Sequence, residues 1–121
     1  MTELATVTFE DRDGIIVAHL DGEIDMSNAE SLTKTIGRAV SNQAVGMVVD
    51  LSEVTYLDSA GIRLVFELAR RLGQRGQRIT LVVADRAPLQ RVFELTDVAA
   101  AMPVCRTVEQ ARSRLFDTER T

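Results

Sequence analysis

Cysteine and histidine are almost missing from this chain. Of 121 residues one is cysteine, Cys105, one is histidine, His19, and none is tryptophan. A lone thiol cannot close an intrachain disulfide, and one histidine beside one cysteine does not supply the ligand set of a zinc site. An excess of positive charge is missing too: 18 acidic against 14 basic residues leave a net charge of −4. That balance argues against nucleic acid as a direct partner, because phosphate backbones are held by positive surface. No apolar run approaches the roughly 18 residues of a membrane span, and Met1-Thr2-Glu3-Leu4 lacks the basic start and apolar stretch of a secretory signal. A cytoplasmic protein without membrane insertion is therefore expected. Prolines number two, aromatics are few, and there is no low-complexity tract, so disorder is expected only at Met1 to Leu4 and Asp117 to Thr121.

What is present is the composition of one globular domain, 45% hydrophobic and 26% charged. A single domain over 1–121 is expected, with an ordered core of about 5–116. The charge is segregated along the chain. Residues 1–58 carry eleven acids against Arg12, Lys34 and Arg38, whereas 59–91 carry seven arginines against Glu67 and Asp85. Such polarity fits either a charged partner surface or alternating solvated faces.

Thr6 to Glu10 and Gly14 to Leu20 read as strands joined through Asp11-Arg12-Asp13-Gly14, a hairpin. Ser27-Asn28-Ala29-Glu30 matches a capping box ahead of Leu32, Ile36, Ala39 and Val40, which predicts a helix from about Asn28 to Val40. Val45 to Leu51 and Arg78 to Ala84 are short apolar runs suited to buried strands, with a helix between them from about Ala60 to Leu72, ending at Gly73. In that helix Ile62, Val65, Phe66, Ala69 and Leu72 form the expected apolar stripe, and Glu67 and Arg71 stand at the favourable i, i+4 spacing. A third helix is predicted after Pro88 on Leu89, Val92, Phe93 and Leu95. Met102 to Cys105 reads as a short edge strand, and Thr107-Val108-Glu109-Gln110 as a second capping box before Ala111, Leu115 and Phe116. The sum is an α/β domain with a mixed sheet of four to five strands and about four helices, its strand order left open by pattern alone.

The segment that ends at Asp58-Ser59-Ala60-Gly61 is an acidic, serine-bearing turn launching a helix. A first helical turn has free N–H groups and a partial positive charge. Ser59 in that place can be a nucleophile, a substrate or a plain helix cap. A nucleophile would sit on the elbow Gly-x-Ser-x-Gly; Gly61 supplies its last glycine, but Leu57 stands where the first belongs, and only His19 is on hand as base. A small serine hydrolase built on Ser59 and His19 is thus the weakest reading, since His19 fits a solvent-facing strand position. Gly73-Gln74-Arg75-Gly76-Gln77-Arg78 lacks the spacing and Lys-Ser/Thr ending of a phosphate loop and reads as a helix exit. Asp25, Asp50 and Asp58 could gather around a hard metal ion, or simply cap and solvate turns. As a substrate, Ser59 would gain about −1.5 to −2 charges from a partner kinase. Beside Asp58 and Asp25 that charge is repulsive, so modification would close a docking surface without unfolding the domain.

The run Gly22-Glu23-Ile24-Asp25-Met26-Ser27-Asn28-Ala29-Glu30, then Leu57-Asp58-Ser59-Ala60-Gly61-Ile62, then Pro88-Leu89-Gln90-Arg91-Val92-Phe93-Glu94-Leu95-Thr96, resembles the sulphate-transporter and anti-sigma-antagonist (STAS) family. The likeness is to a free-standing anti-sigma factor antagonist and covers nearly the whole chain in order. It implies a non-enzymatic, cofactor-free protein that, when unphosphorylated, binds an anti-sigma factor, usually a serine kinase, and frees a sigma factor for transcription. Phosphorylation of Ser59 would reverse this, with ATP and magnesium belonging to the kinase. The partner-binding residues implied are Asp25, Met26, Ser27, Asp58, Ser59, Ala60, Gly61 and Arg63. At Arg63 many members have glycine, a departure that bears on partner choice. The alternative within the family is a STAS subunit of a larger assembly, a stressosome or a lipid-transport complex.

Overall fold

The computed structural model describes residues 4–94 and 97–117. Leu95 and Thr96, and most of the two ends expected to fray, lie outside them. The hairpin forms from β1 (Ala5–Arg12) and β2 (Ile15–Ile24), paired antiparallel with Arg12 opposite Ile15. Its two-residue turn has Asp13 at φ 57 and Gly14 at φ 85, the two positive angles that a primed turn needs to follow the strand twist. The Gly14 N–H donates to the Asp11 carboxylate at 3.0 Å, which locks it.

The strands β3 (Gly46–Leu57), β4 (Arg78–Val82) and β5 (Val104–Cys105) continue the sheet in the order β1-β2-β3-β4-β5, all parallel after the first pair. Five helices accompany them among the described residues: α1 (Ala29–Ala39), α2 (Ser59–Gln74), α3 (Gln90–Glu94), α4 (Val98–Ala101) and α5 (Val108–Asp117). The α/β class and mixed sheet agree with the sequence. The fifth helix is α4, a single turn too short to carry a periodic signal.

One face of the sheet packs Leu20, Ile24, Val49, Leu51, Val54 and Leu57 against Leu32 and Ile36 of α1 and Leu64, Val65, Leu68 and Leu72 of α2. Each such buried side chain is worth about 1.5–3 kcal/mol against exposure. The other face holds a smaller cluster, Ile15, Val17, Val48 and Val82 under Ala111 and Leu115 of α5.

Four expectations change in the structure. The third strand does not stop at Leu51 but runs to Leu57, through the segment read as a turn. Two bulges explain it: β3 advances three residues, Asp50 to Glu53, while β2 advances two, and two residues, Val54 to Tyr56, while β2 advances one. Each extra residue resets the alternation, so Leu51, Val54 and Leu57 all face the core at a spacing of three. The first capping box does not form: α1 starts at Ala29, its N-cap Asn28 makes no side-chain cap bond, and Ser27 and Asn28 bond to the preceding loop instead. The stripe of α2 is turned: Gly61, Leu64, Val65, Leu68 and Leu72 are buried and Phe66 is exposed, because the helix sits over Leu57 and Ile24. Finally α2 continues past Gly73 to Gln74, and the left-handed residue that turns the chain is Gly76, at φ 73. The second capping box forms in its first half, the Gln110 N–H donating to Thr107 Oγ1 at 3.1 Å, while Gln110 Oε1 accepts from the N–H of Arg106, one residue before the N-cap.

Candidate functional site around Ser59

Strands β2 and β3 run parallel and end together, Ile24 opposite Leu57, and the Asp58 N–H donates to the Ile24 carbonyl at 3.3 Å. This pairing brings Asp25, which follows β2, next to Asp58 and Ser59, which follow β3. The sequence-predicted residues Asp25, Met26, Ser27, Asp58, Ser59, Ala60 and Gly61 thus converge at one end of the sheet.

Ser59 is the first residue of α2 and is exposed. The cap is its neighbour: Asp58 Oδ1 accepts from the N–H of Ala60 at 2.8 Å and of Gly61 at 3.3 Å. The serine hydroxyl is therefore spared for other chemistry, and two of the free N–H groups that could have received an anion are already engaged. Gly61 faces inward. A Cβ there would lie 2.5 Å from Leu57 Cγ and 3.3 Å from Ile24 Cγ2, so the glycine lets α2 settle on the strand ends and is no surface contact.

The loop before α1 is organised by Asp25. Its Oδ1 accepts from the Ser27 N–H at 2.8 Å and the Ser27 hydroxyl at 2.5 Å, and its carbonyl accepts from the Ala29 N–H at 2.9 Å. The Ser27 hydroxyl, then the Ser27 amide, hold the Asp25 carboxyl below the usual carboxylate range. Asn28 closes the turn, its Oδ1 accepting from the Asp25 N–H and its Nδ2 donating to the Glu23 carbonyl. Folded this way, the loop pushes Met26 out until it is 84% exposed. An unbranched apolar side chain held in water beside Ser59 suits a contact surface.

Between α1 and α2 lies a groove of about 400 Å³ that starts at Met26 and Ala60 and continues past Arg63. Its charged walls are mostly self-satisfied. Lys34 pairs with Glu30 at 3.5 Å, and Glu67 receives Arg70 at 2.6 Å and Arg71 at 3.0 Å, which bring its carboxyl down to about 2. Arg63 lines the same groove and forms no ion pair among the described residues.

Sequence reading missed the surroundings of His19. Its Nδ1 lies 2.9 Å from Asp50 Oδ2 and its Nε2 2.7 Å from Glu10 Oε1, so it is no plain solvent-facing residue. The signal was in the hairpin: a two-residue turn at Asp13-Gly14 sets Thr8 opposite His19 and Glu10 one step diagonal. Burial opposes a charged ring, but the bonds to Glu10 and Asp50 outweigh it and raise the His19 pKa. This overturns the pairing of His19 with Ser59. Both ring nitrogens are engaged, and Asp50 sits seven residues before Leu57 along β3, roughly 20 Å away. Nor does Asp50 join Asp25 and Asp58 around a metal; it faces His19, and among the described residues no three His, Cys, Asp or Glu side chains gather in a way that could hold an ion.

Comparison with known proteins agrees with this architecture. The STAS domain pattern matches residues 6–111. The anti-sigma-F factor antagonist RsfB of Mycobacterium tuberculosis is 36% identical over 69 residues, 57% of either chain, so the match spans little more than half of that relative. The putative anti-sigma factor antagonist BtrV of Bordetella bronchiseptica is 32% identical over 107 residues, 87% of this chain and 90% of that one. The crystal structure of an anti-sigma factor antagonist from Mycobacterium paratuberculosis superposes with a TM-score of 0.82 at 31% identity, covering 93% of this chain and 95% of its own. No helix among the described residues is long and apolar enough to cross a membrane. With the strand pairing, the Asp58-capped serine and these matches in place, the chain belongs to the STAS-domain family.

Proposed function

We propose that this chain is an anti-sigma factor antagonist: a cytoplasmic binding protein, not an enzyme, that captures an anti-sigma factor serine kinase when unphosphorylated and lets go when Ser59 is phosphorylated. The observation that carries the reading is an exposed serine at the first position of α2 whose capping duty is taken by Asp58. A hydroxyl without a structural task, next to an exposed Met26 and a groove, is open to a kinase and to a docking partner alike. The relatives' names support the same role. The docking surface comprises Asp25, Met26, Ser27, Asp58, Ser59, Ala60 and Arg63, with Gly61 shaping it from beneath. ATP and magnesium are supplied by the kinase.

A phosphate on Ser59 would stand beside Asp58 and Asp25, whose carboxylates repel it, and would have to be stripped of water in any tight interface. Binding is lost while the fold persists. Incubation with candidate anti-sigma kinases and ATP, followed by mass spectrometry, tests the site. Phosphate on the Ser59 peptide that vanishes in Ser59→Ala is expected; undiminished incorporation in Ser59→Ala would move the site elsewhere.

A further inference from the structure

We infer that Arg63 is the residue that holds a phosphate on Ser59, so that modification also occupies the one groove cation that has no ion-pair partner among the described residues. The inference rests on the reading of Ser59 as a phosphorylated position, and deepens it. Three observations lead there. First, most of the usual anion seat at a helix start is taken: the N–H groups of Ala60 and Gly61 point to Asp58 Oδ1, and that of Ile62 to the Asp58 carbonyl at 3.1 Å. Beyond its own N–H, a phosphate on Ser59 finds its further partners among side chains.

Second, Ser59 and Arg63 stand four apart on α2, and such positions are neighbours on a helix surface, with Cβ atoms about 5–6 Å apart. A guanidinium on its long stem covers that gap and matches phosphate oxygens in bidentate fashion. Third, the other charged groups of the groove are committed. Lys34 is with Glu30, and Arg71 with Glu67, which also receives Arg70. Arg63 lines the groove and, among the described residues, has no ion-pair partner to give up. Asp25 and Asp58, the acids at the Ser59 end of the groove, are turned to Ser27 and to the α2 amides. Phosphorylation thus changes the surface twice, adding an anion at Ser59 and withdrawing the Arg63 charge from any acidic group a partner presents to the groove.

The test is a ³¹P NMR pH titration of the full chain with phosphoserine installed at position 59 during translation, which needs no kinase. The second ionisation of the phosphate is expected about 0.15–0.4 pH unit lower with Arg63 than in Arg63→Ala, with Arg63→Lys in between. That difference should shrink in salt on the order of 1 M, where screening acts within about 3 Å. The Arg63 Nε–H resonance should also move on phosphorylation. Midpoints that coincide within about 0.1 unit, together with an unmoved Arg63 resonance, would overturn the pairing. Because the phosphate is placed during synthesis, that failure is separate from a failure of any kinase to modify Ser59, which would count against the regulatory reading alone.

Discussion

The Asp58 carboxylate accepts the Ala60 N–H at 2.8 Å, so the residue that begins α2 chemically is the acid and not the serine after it. A side-chain cap of this kind contributes about 1 kcal/mol, within a range of about 0.5–2. Asp58→Ala should lower unfolding free energy by that amount in urea denaturation, and Asp58→Asn, which keeps the accepting oxygen, by a few tenths. Ser59→Ala should leave stability unchanged within about 0.5 kcal/mol, because its hydroxyl does not cap. Equal losses for Asp58→Ala and Ser59→Ala would show that the cap has been assigned to the wrong residue.

Two glycines of α2 should respond with opposite sign. At Gly73 a Cβ meets nothing within 4 Å, and alanine should stabilise the helix by about 0.5–1 kcal/mol. At Gly61 the same methyl group runs into Leu57 Cγ and Cδ1 at 2.5 and 2.9 Å, close to the root of a buried side chain. Gly61→Ala should destabilise by about 1–3 kcal/mol as Leu57 is displaced, despite the better helix propensity. Thermal melts of the two variants decide the matter, and a stabilised Gly61→Ala would mean that α2 does not rest on Leu57.

The network of Glu10, His19 and Asp50 should make stability depend on pH. The His19 pKa in the folded protein is raised above its ordinary value, so the bonds to Glu10 and Asp50 contribute fully below the unfolded-state pKa of about 6.5. Their contribution fades as pH climbs through the folded-state value. Urea midpoints of the wild type should therefore fall across that interval, and those of His19→Gln should stay flatter. An NMR titration of the His19 ring that centres at or below about 6.5 would contradict the arrangement.

Much of the fold was legible in the sequence, and the parts that were not have physical causes. The hairpin, the strand–helix–strand order and the placing of Ser59 at a helix start all follow from local patterns that tertiary packing reinforces. The end of β3 was hidden because Leu51, Val54 and Leu57 recur every three residues, a period that fits neither a regular strand nor a helix until bulges in the pairing with β2 are known. The stripe of α2 was ambiguous because Ile62, Leu64, Val65, Phe66, Leu68, Ala69 and Leu72 form an apolar arc wider than one face, and only Leu57 across from Gly61 fixes its rotation. Ser27 and Asn28 carry the composition of a cap, but the carboxylate of Asp25 competes for Ser27 and wins, shaping the loop that exposes Met26. His19 needed two registers at once, that of the hairpin and that of β2 on β3.

The most direct test of the account is calorimetric titration of the proposed partner, an anti-sigma factor kinase, with this chain carrying serine or phosphoserine at position 59. Tight binding of the serine form is expected, with affinity reduced at least about tenfold by the phosphate, equivalent to about 1.4 kcal/mol, and a partial loss in Ser59→Glu. Circular dichroism of all three should be the same. Equal affinity of the serine and phosphoserine forms would contradict the claim that the exposed hydroxyl of Ser59 is the switch.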